Sequence, residues 1–82
     1  MMMKIIDVEV LDDYKLLLSF NNNEKRIFDI SQELSGAFEC LTEYENLKKV
    51  QLVHGALTWF RPGQMELDIC PDYAYMNSTK DI

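Results

Sequence analysis

The sequence is short of nearly everything that announces a chemistry. It holds one histidine, two cysteines, two prolines, three glycines and one tryptophan. A single histidine, His54, excludes a His-pair metal site. Cys40 and Cys70 lie far apart and neither sits in a CxxC. A zinc ribbon or finger needs clustered Cys and His ligands and is excluded with them. Two cysteines are also too few for a disulfide scaffold, so reduced thiols in or near a core are expected. Neither GxGxxG nor GxxxxGK[ST] occurs, so no phosphate-cradling loop is signalled. Collagen-like, low-complexity and solenoid chains do not have this composition. Apolar runs are short, as at Leu16-Leu17-Leu18, against the ~20 residues needed to span a bilayer. Asp7 and Glu9 interrupt the start before a signal-peptide core can form. The expectation is a soluble cytoplasmic chain with no membrane partner.

Positive charge is scarce as well. Lys and Arg number 8 against 14 Asp and Glu, a formal charge of −6. A duplex-DNA reader carries a positive footprint, so direct duplex binding is not expected. What is abundant is apolar: 48% of 82 residues, enough for a packed core and against disorder. Length allows one domain, 1–82, with a core over about 4–78 and a frayed 79–82.

The apolar residues alternate. Over 3–11, Ile6, Val8 and Val10 fall on one face and Asp7 and Glu9 on the other, which predicts a half-buried strand. Asp12-Asp13 marks a turn. Over 14–20, Leu16, Leu18 and Phe20 share a face, with Lys15, Leu17 and Ser19 opposite. Asn21-Asn22-Asn23-Glu24 follows, and Asn tolerates the positive φ of a tight turn. The return strand is 25–30, with Arg26, Phe28 and Ile30 on one face. The pattern then breaks. Phe38 and Leu41, three residues apart, plug the core from a short helical turn. Thr42-x-x-Glu45 reads as a capping box opening a short helix that ends near Lys48 and Lys49. A second hairpin over 50–60 turns at Gly55. An Arg61-Pro62-Gly63-Gln64 turn leads to a strand over 65–70, and a short turn over 71–76 closes the chain. The predicted class is α+β: an antiparallel meander of about six short strands, with one short helix between the third and fourth.

Candidate chemistry is thin. His54 reads as a turn residue, because no nucleophile is paired with it by spacing. Glu66, Asp68 and Asp72 form the densest carboxylate group, and Glu66 and Asp68 share a strand face about 7 Å apart. Such a group suits acid–base work or a hard cation, but without an EF-hand loop the ordinary reading is a solvated strand face, with Asp68 or Asp72 bonding turn amides. Lys25, Arg26, Lys48, Lys49 and Arg61 do not cluster in sequence. Asp29 is placed to cap the turn at Ser31. No catalytic set, cofactor or metal site is assigned, and an enzyme is not expected. Trp59, Phe60, Tyr73, Tyr75 and Met76 are the interface candidates, since aromatic residues and Met are enriched where proteins meet. Closing a small core is their ordinary alternative.

The order of these pieces resembles the bacterial domain-of-unknown-function family 2442. The resemblance rests on Phe20-Asn21-Asn22, Arg26-Ile27-Phe28-Asp29, Phe38-Glu39-Cys40-Leu41, Leu47-Lys48-Lys49-Val50 and Trp59. Its most specific piece is Leu67-Asp68-Ile69-Cys70-Pro71-Asp72 with Tyr75. It covers about residues 5 to 78. The family's first hairpin commonly carries a Gly, where Asn22-Asn23-Glu24 stands here. The resemblance implies a small α+β fold with a sheet curved around a helix, and it implies no activity. Together the readings point to a protein-binding or self-associating module, with a protein partner or a homodimer. The alternative is an acidic, antitoxin-like or accessory partner of a basic protein in a nucleic-acid context. A small metal-dependent enzyme using Glu66, Asp68 or Asp72 comes third.

Overall fold

Alternation of apolar and polar residues settles into strands in the first third of the chain. A computed structural model describes residues 3–60 and 66–80, Ala37 by its backbone alone. β1 (Ile5–Leu11), β2 (Lys15–Phe20) and β3 (Lys25–Asp29) form the expected antiparallel meander. Leu16, Leu18 and Phe20 are fully buried, as their shared face requires. The β2–β3 turn bends at Asn23, whose φ of +70° supplies the left-handed residue that a Gly would otherwise provide. Asn22 Oδ1 accepts from the Glu24 amide at 3.1 Å and fixes the loop.

The pattern breaks in β1. Ile5 pairs with Phe20 and Asp7 with Ser19, so Ile6 is the extra residue of a β-bulge. Ile5 is buried and Ile6 is 60% exposed. The expected Ile6–Val8–Val10 face is therefore corrected: Val8 and Val10 share their side with Ile5.

The middle of the chain is helical but tight. A 3₁₀ turn over Ile30–Glu33 is opened by Asp29, whose carboxylate accepts from the Ser31 amide and hydroxyl. A second 3₁₀ stretch, Gly36–Thr42, buries Leu41 and packs Phe38 edge-on against Trp59. A single helical turn, α1 (Tyr44–Leu47), follows. The expected capping box does not form: Thr42 Oγ1 donates to the Glu39 carbonyl at 2.8 Å, and no side chain caps α1. Bonding the preceding 3₁₀ turn satisfies the hydroxyl locally instead.

β4 (Gln51–Val53) and β5 (Ala56–Trp59) form a two-residue hairpin at His54-Gly55, both at positive φ. This is the type I′ geometry that matches strand twist. β6 (Leu67–Ile69) pairs with β5, Leu67 and Ile69 inward and Asp68 outward. The expected Arg61–Gln64 turn and Met65 lie outside the described residues. Pro71 then opens α2 (Pro71–Met76) at the first position, where its missing N–H costs nothing.

The single meander of about six strands is corrected in two ways. Among the described residues the strands form two sheets, ordered β1-β2-β3-β7 and β4-β5-β6, with two short α-helices. The helical stretch over 30–47 separates the hairpins, so the second never hydrogen-bonds onto the first as a ladder. The other correction concerns the tail. Of the expected frayed 79–82, residues 79–80 belong to a strand, β7 (Ser78–Lys80), antiparallel to β3, and 81–82 lie outside the described residues. Three polar residues carry no period, and only the partner strand makes them a strand. The sheets meet where Ile5 N donates to Gly55 O at 2.9 Å. Between them lie Ile5, Leu16, Leu18, Phe20, Phe28, Ile30, Leu41, Leu47, Leu57, Trp59, Leu67, Ile69 and Ala74.

Candidate functional site

Each candidate residue acquires a definite place. Trp59 is core: it is 2% exposed, and its Nε1 donates to the Leu47 carbonyl at 3.1 Å. It therefore leaves the interface set. Leu67 is buried, and Pro71 starts α2. Phe60 is half-exposed and Met76 is 81% exposed. Glu66, Asp68 and Asp72 are all exposed. Among the described residues no three metal-ligating side chains converge. Cys40 is half-buried and Cys70 exposed, with no disulfide between them. His54 is exposed at the hairpin tip.

The two late tyrosines are structural ties. Tyr73 packs edge-on against Phe28, and its hydroxyl donates to both Glu33 carboxylate oxygens at 3.0 Å. Tyr75 stands edge-on to Phe20, with ring centroids 5.2 Å apart. Its hydroxyl donates to Glu24 Oε2 at 2.6 Å. The Arg26 guanidinium lies over the same ring, 4.3 Å from its centroid. Arg26 also pairs with Glu24 Oε1 at 3.0 Å and donates to Ser78 Oγ and Ser78 O, both at 2.8 Å. This polar seam fastens α2 and β7 to the β2–β3 hairpin. The sequence placed Arg26 on the face of Phe28 and Ile30 but did not connect it with Ser78, which lies 52 residues away.

A reciprocal pair of tyrosines ties the opposite end. Tyr14 donates to Thr42 O at 2.7 Å, and Tyr44 donates to Leu11 O at 3.1 Å. Their rings meet edge-on at 6.4 Å. Tyr14 and Asp13 both take positive φ, so the β1–β2 turn is held in a left-handed conformation by this contact.

Displaced titrations follow these ties. Glu24 is held below the usual carboxylate range by the Tyr75 hydroxyl, with help from Arg26 and Lys80. Asp29 is lowered by the Ser31 hydroxyl and amide. Tyr73 is raised by the Glu33 carboxylate beside it, and Tyr75 by Glu24. All four shifts move away from neutrality, the reverse of what a general acid or base needs at neutral pH.

The surface feature that sequence reasoning does not assemble is the outer face of the four-stranded sheet. Register places Asp7, Ser19 and Lys25 in one row across it. Glu9, Leu17, Ile27 and Thr79 form the next row, and Leu11, Lys15 and Asp29 the last. Leu17, Ile27 and Leu11 are half-buried there, though α2 packs on the opposite side through Tyr73 and Tyr75. Beside the first row lies a shallow depression of about 360 Å³, lined by Ile6, Asp7, Ser19, Glu24 and Lys25 among others. The signal was present in sequence: Leu17 and Ile27 are apolar residues on faces that alternation assigns to solvent.

No helix among the described residues is long and apolar enough to cross a membrane. No curated protein and no solved structure matches the chain. A family does: the one described as Protein of unknown function (DUF2442) matches over residues 5–80 of the 82, and the chain belongs to that family.

Proposed function

We propose that this chain is a non-enzymatic, cytoplasmic protein-binding or self-associating module. The observation that supports it best is Ile6. A β-branched apolar side chain, 60% exposed, is held in solvent by a bulge, at the rim of a sheet face that carries Leu17 and Ile27. Bulges commonly re-aim a side chain toward a functional surface. Phe60 and Met76 add exposed apolar area elsewhere. The polar residues with displaced titrations are engaged in holding elements together, which leaves them no role as a reacting set. The net charge of −6 disfavours a nucleic-acid backbone and favours a neutral or basic protein surface.

The test combines solution mass with partner capture. Sedimentation of the purified chain over a wide concentration range is run beside affinity capture from the source cell. Self-association, or a stoichiometric complex with one protein, is the expected result. A strict monomer that retains no partner overturns the reading.

A further inference from the structure

β1 is the outer strand of the four-stranded sheet, paired with β2 on one side. The hydrogen bonds of β2 fix what its other side offers. Tyr14 O accepts from Ile30 N, Phe20 N donates to Glu24 O and Phe20 O accepts from Asn23 N, so Tyr14 and Phe20 turn their backbone groups toward β3. Antiparallel bonding alternates along a strand, so Lys15, Leu17 and Ser19 turn toward β1, where they pair with Leu11, Glu9 and Asp7. The N–H and C=O groups of Val8 and Val10 therefore point away from β2. No described residue bonds them there. The two ends of the same strand are held: Ile5 N donates to Gly55 O at 2.9 Å, and the Tyr44 hydroxyl donates to Leu11 O at 3.1 Å. Between them remains a short window of unpaired backbone. Asp7 and Glu9 are exposed on one face of it, and Val8 and Val10 are half-buried on the other. Among the described residues the ion pairs are Arg26–Glu24 and Lys48–Glu45, and neither window carboxylate belongs to one.

An unpaired edge is a template for another strand, and natural edges are blunted by Lys, Pro, a bulge or a cover. The bulge at Ile6 precedes this window, and no Lys or Pro lies within 7–11. The window carries negative charge instead, and that charge discriminates. A second copy paired antiparallel about Glu9 sets Glu9 on Glu9, and one paired about Val8 sets Asp7 on Glu9. Like charges directly opposite destabilise a ladder. Pairing about Val10 lays Val8 against the Asp12 carboxylate of the other copy. A basic strand meets none of these conflicts. Resting on the protein-binding reading above, we infer that the β1 edge at Val8 and Val10 takes an extended segment of a different protein, in which Lys or Arg alternates with apolar residues. The segment adds antiparallel to β1 and exchanges backbone hydrogen bonds with Val8 and Val10. Its basic side chains lie opposite Asp7 and Glu9, and its apolar side chains continue the rows of Val8 and Val10. The backbone bonds set the register, and the charges set the choice of partner.

The experiment is amide hydrogen exchange of the full chain by NMR, with thermal melts of every variant. It is run on the free chain, then with ~1 mM of a short synthetic peptide of alternating lysine and valine, or of alternating glutamate and valine. In the free chain the Val8 and Val10 amides are expected to exchange faster than those of Glu9 and Leu11, which bond β2. Equal protection means a covered edge and overturns the inference. The lysine–valine peptide is expected to slow Val8 and Val10 at least ~10-fold, and the glutamate–valine peptide to leave them unchanged. No slowing by the lysine–valine peptide overturns the inference. Reversing both charges, Asp7→Lys with Glu9→Lys, is expected to exchange the two preferences, and a lysine–valine preference that survives overturns the inference. Val10→Pro deletes one outward N–H and no bond to β2, so it is expected to weaken peptide binding at least ~10-fold with an unchanged melt. If its melt falls, the charge-reversed chain decides. Partner capture judges the wider reading separately: a protein retained equally by the wild-type and charge-reversed chains overturns the edge while the protein-binding reading stands.

Discussion

In the three-stranded sheet the strands are three or four residues long, and the buried side chains Leu57, Trp59, Leu67 and Ile69 anchor it. In the four-stranded sheet three strands are longer, yet the last, β7, is three polar residues held by Arg26, Glu24 and Tyr75. Both sheets are antiparallel and share one core. They differ in what makes a three-residue strand stay. One short strand is kept by burying apolar area, the other by charge-assisted hydrogen bonds to a neighbour. Burial is insensitive to pH and sensitive to volume, and the polar seam is the reverse.

That contrast can be broken at several points. The largest effect is expected from Trp59→Ala. It removes a buried ring and one of the two donors to the Leu47 carbonyl, leaving the Val50 amide, at a cost of about 3–5 kcal/mol. A domain of this size holds on the order of 5–10 kcal/mol in all, so a urea titration of the variant should show the midpoint fall by about half. Gly55→Ala attacks the joint between the sheets. Gly55 has φ of +79°, and an added Cβ would stand 2.8 Å from Lys4 Cβ. About 2 kcal/mol is expected to be lost, with the denaturation midpoint falling and the slope kept.

Arg26→Ala removes the two hydrogen bonds to Ser78. About 1–2 kcal/mol is the expected loss, and hydrogen exchange should speed up in 78–80 before it does in 56–59. Equal acceleration in both sheets would show that the seam is not local.

The smallest effect concerns acid. Glu24 titrates lower in the folded chain than in the unfolded chain, chiefly through the Tyr75 hydroxyl. The unfolded state therefore takes up the proton first. The stability this group contributes is full above the ordinary glutamate value, near pH 4.5, and is lost as pH falls toward the lowered folded value. Glu24→Gln should flatten the decline of the denaturation midpoint below about pH 4.5. An unchanged acid slope would remove Glu24 from the seam's energetics.

The first hairpins were legible because their reasons are local. Period two in Leu16, Leu18 and Phe20, the tolerance of Asn23 for positive φ and the Gly at the second hairpin's tip each act within a few residues. The Asp29 cap was legible for the same reason, since its acceptor and the Ser31 donors are two residues apart. Trp59 looked like an interface candidate because composition cannot separate a buried ring from an exposed one. Its indole donor finds a carbonyl twelve residues back. β7 and the split into two sheets were not legible. Ser78-Thr79-Lys80 becomes a strand only because β3 offers an edge 52 residues away in sequence. The outer face was visible residue by residue, but its rows depend on a register that no single segment contains.

The bulge at Ile6 has one more consequence. Ile5 and Ile6 are identical neighbours, so hydrophobicity gives the chain no way to choose which one enters the core. Slide the first residues of β1 by one and Ile6 goes in while Ile5 comes out, with no apolar atom lost. Two backbone bonds settle the matter: Ile5 N to Gly55 O and Asn21 N to Lys4 O, both 2.9 Å. The reading frame of this strand is thus written in the loops that touch it, and the doubled isoleucine is a place where the chain could be translated into structure two ways.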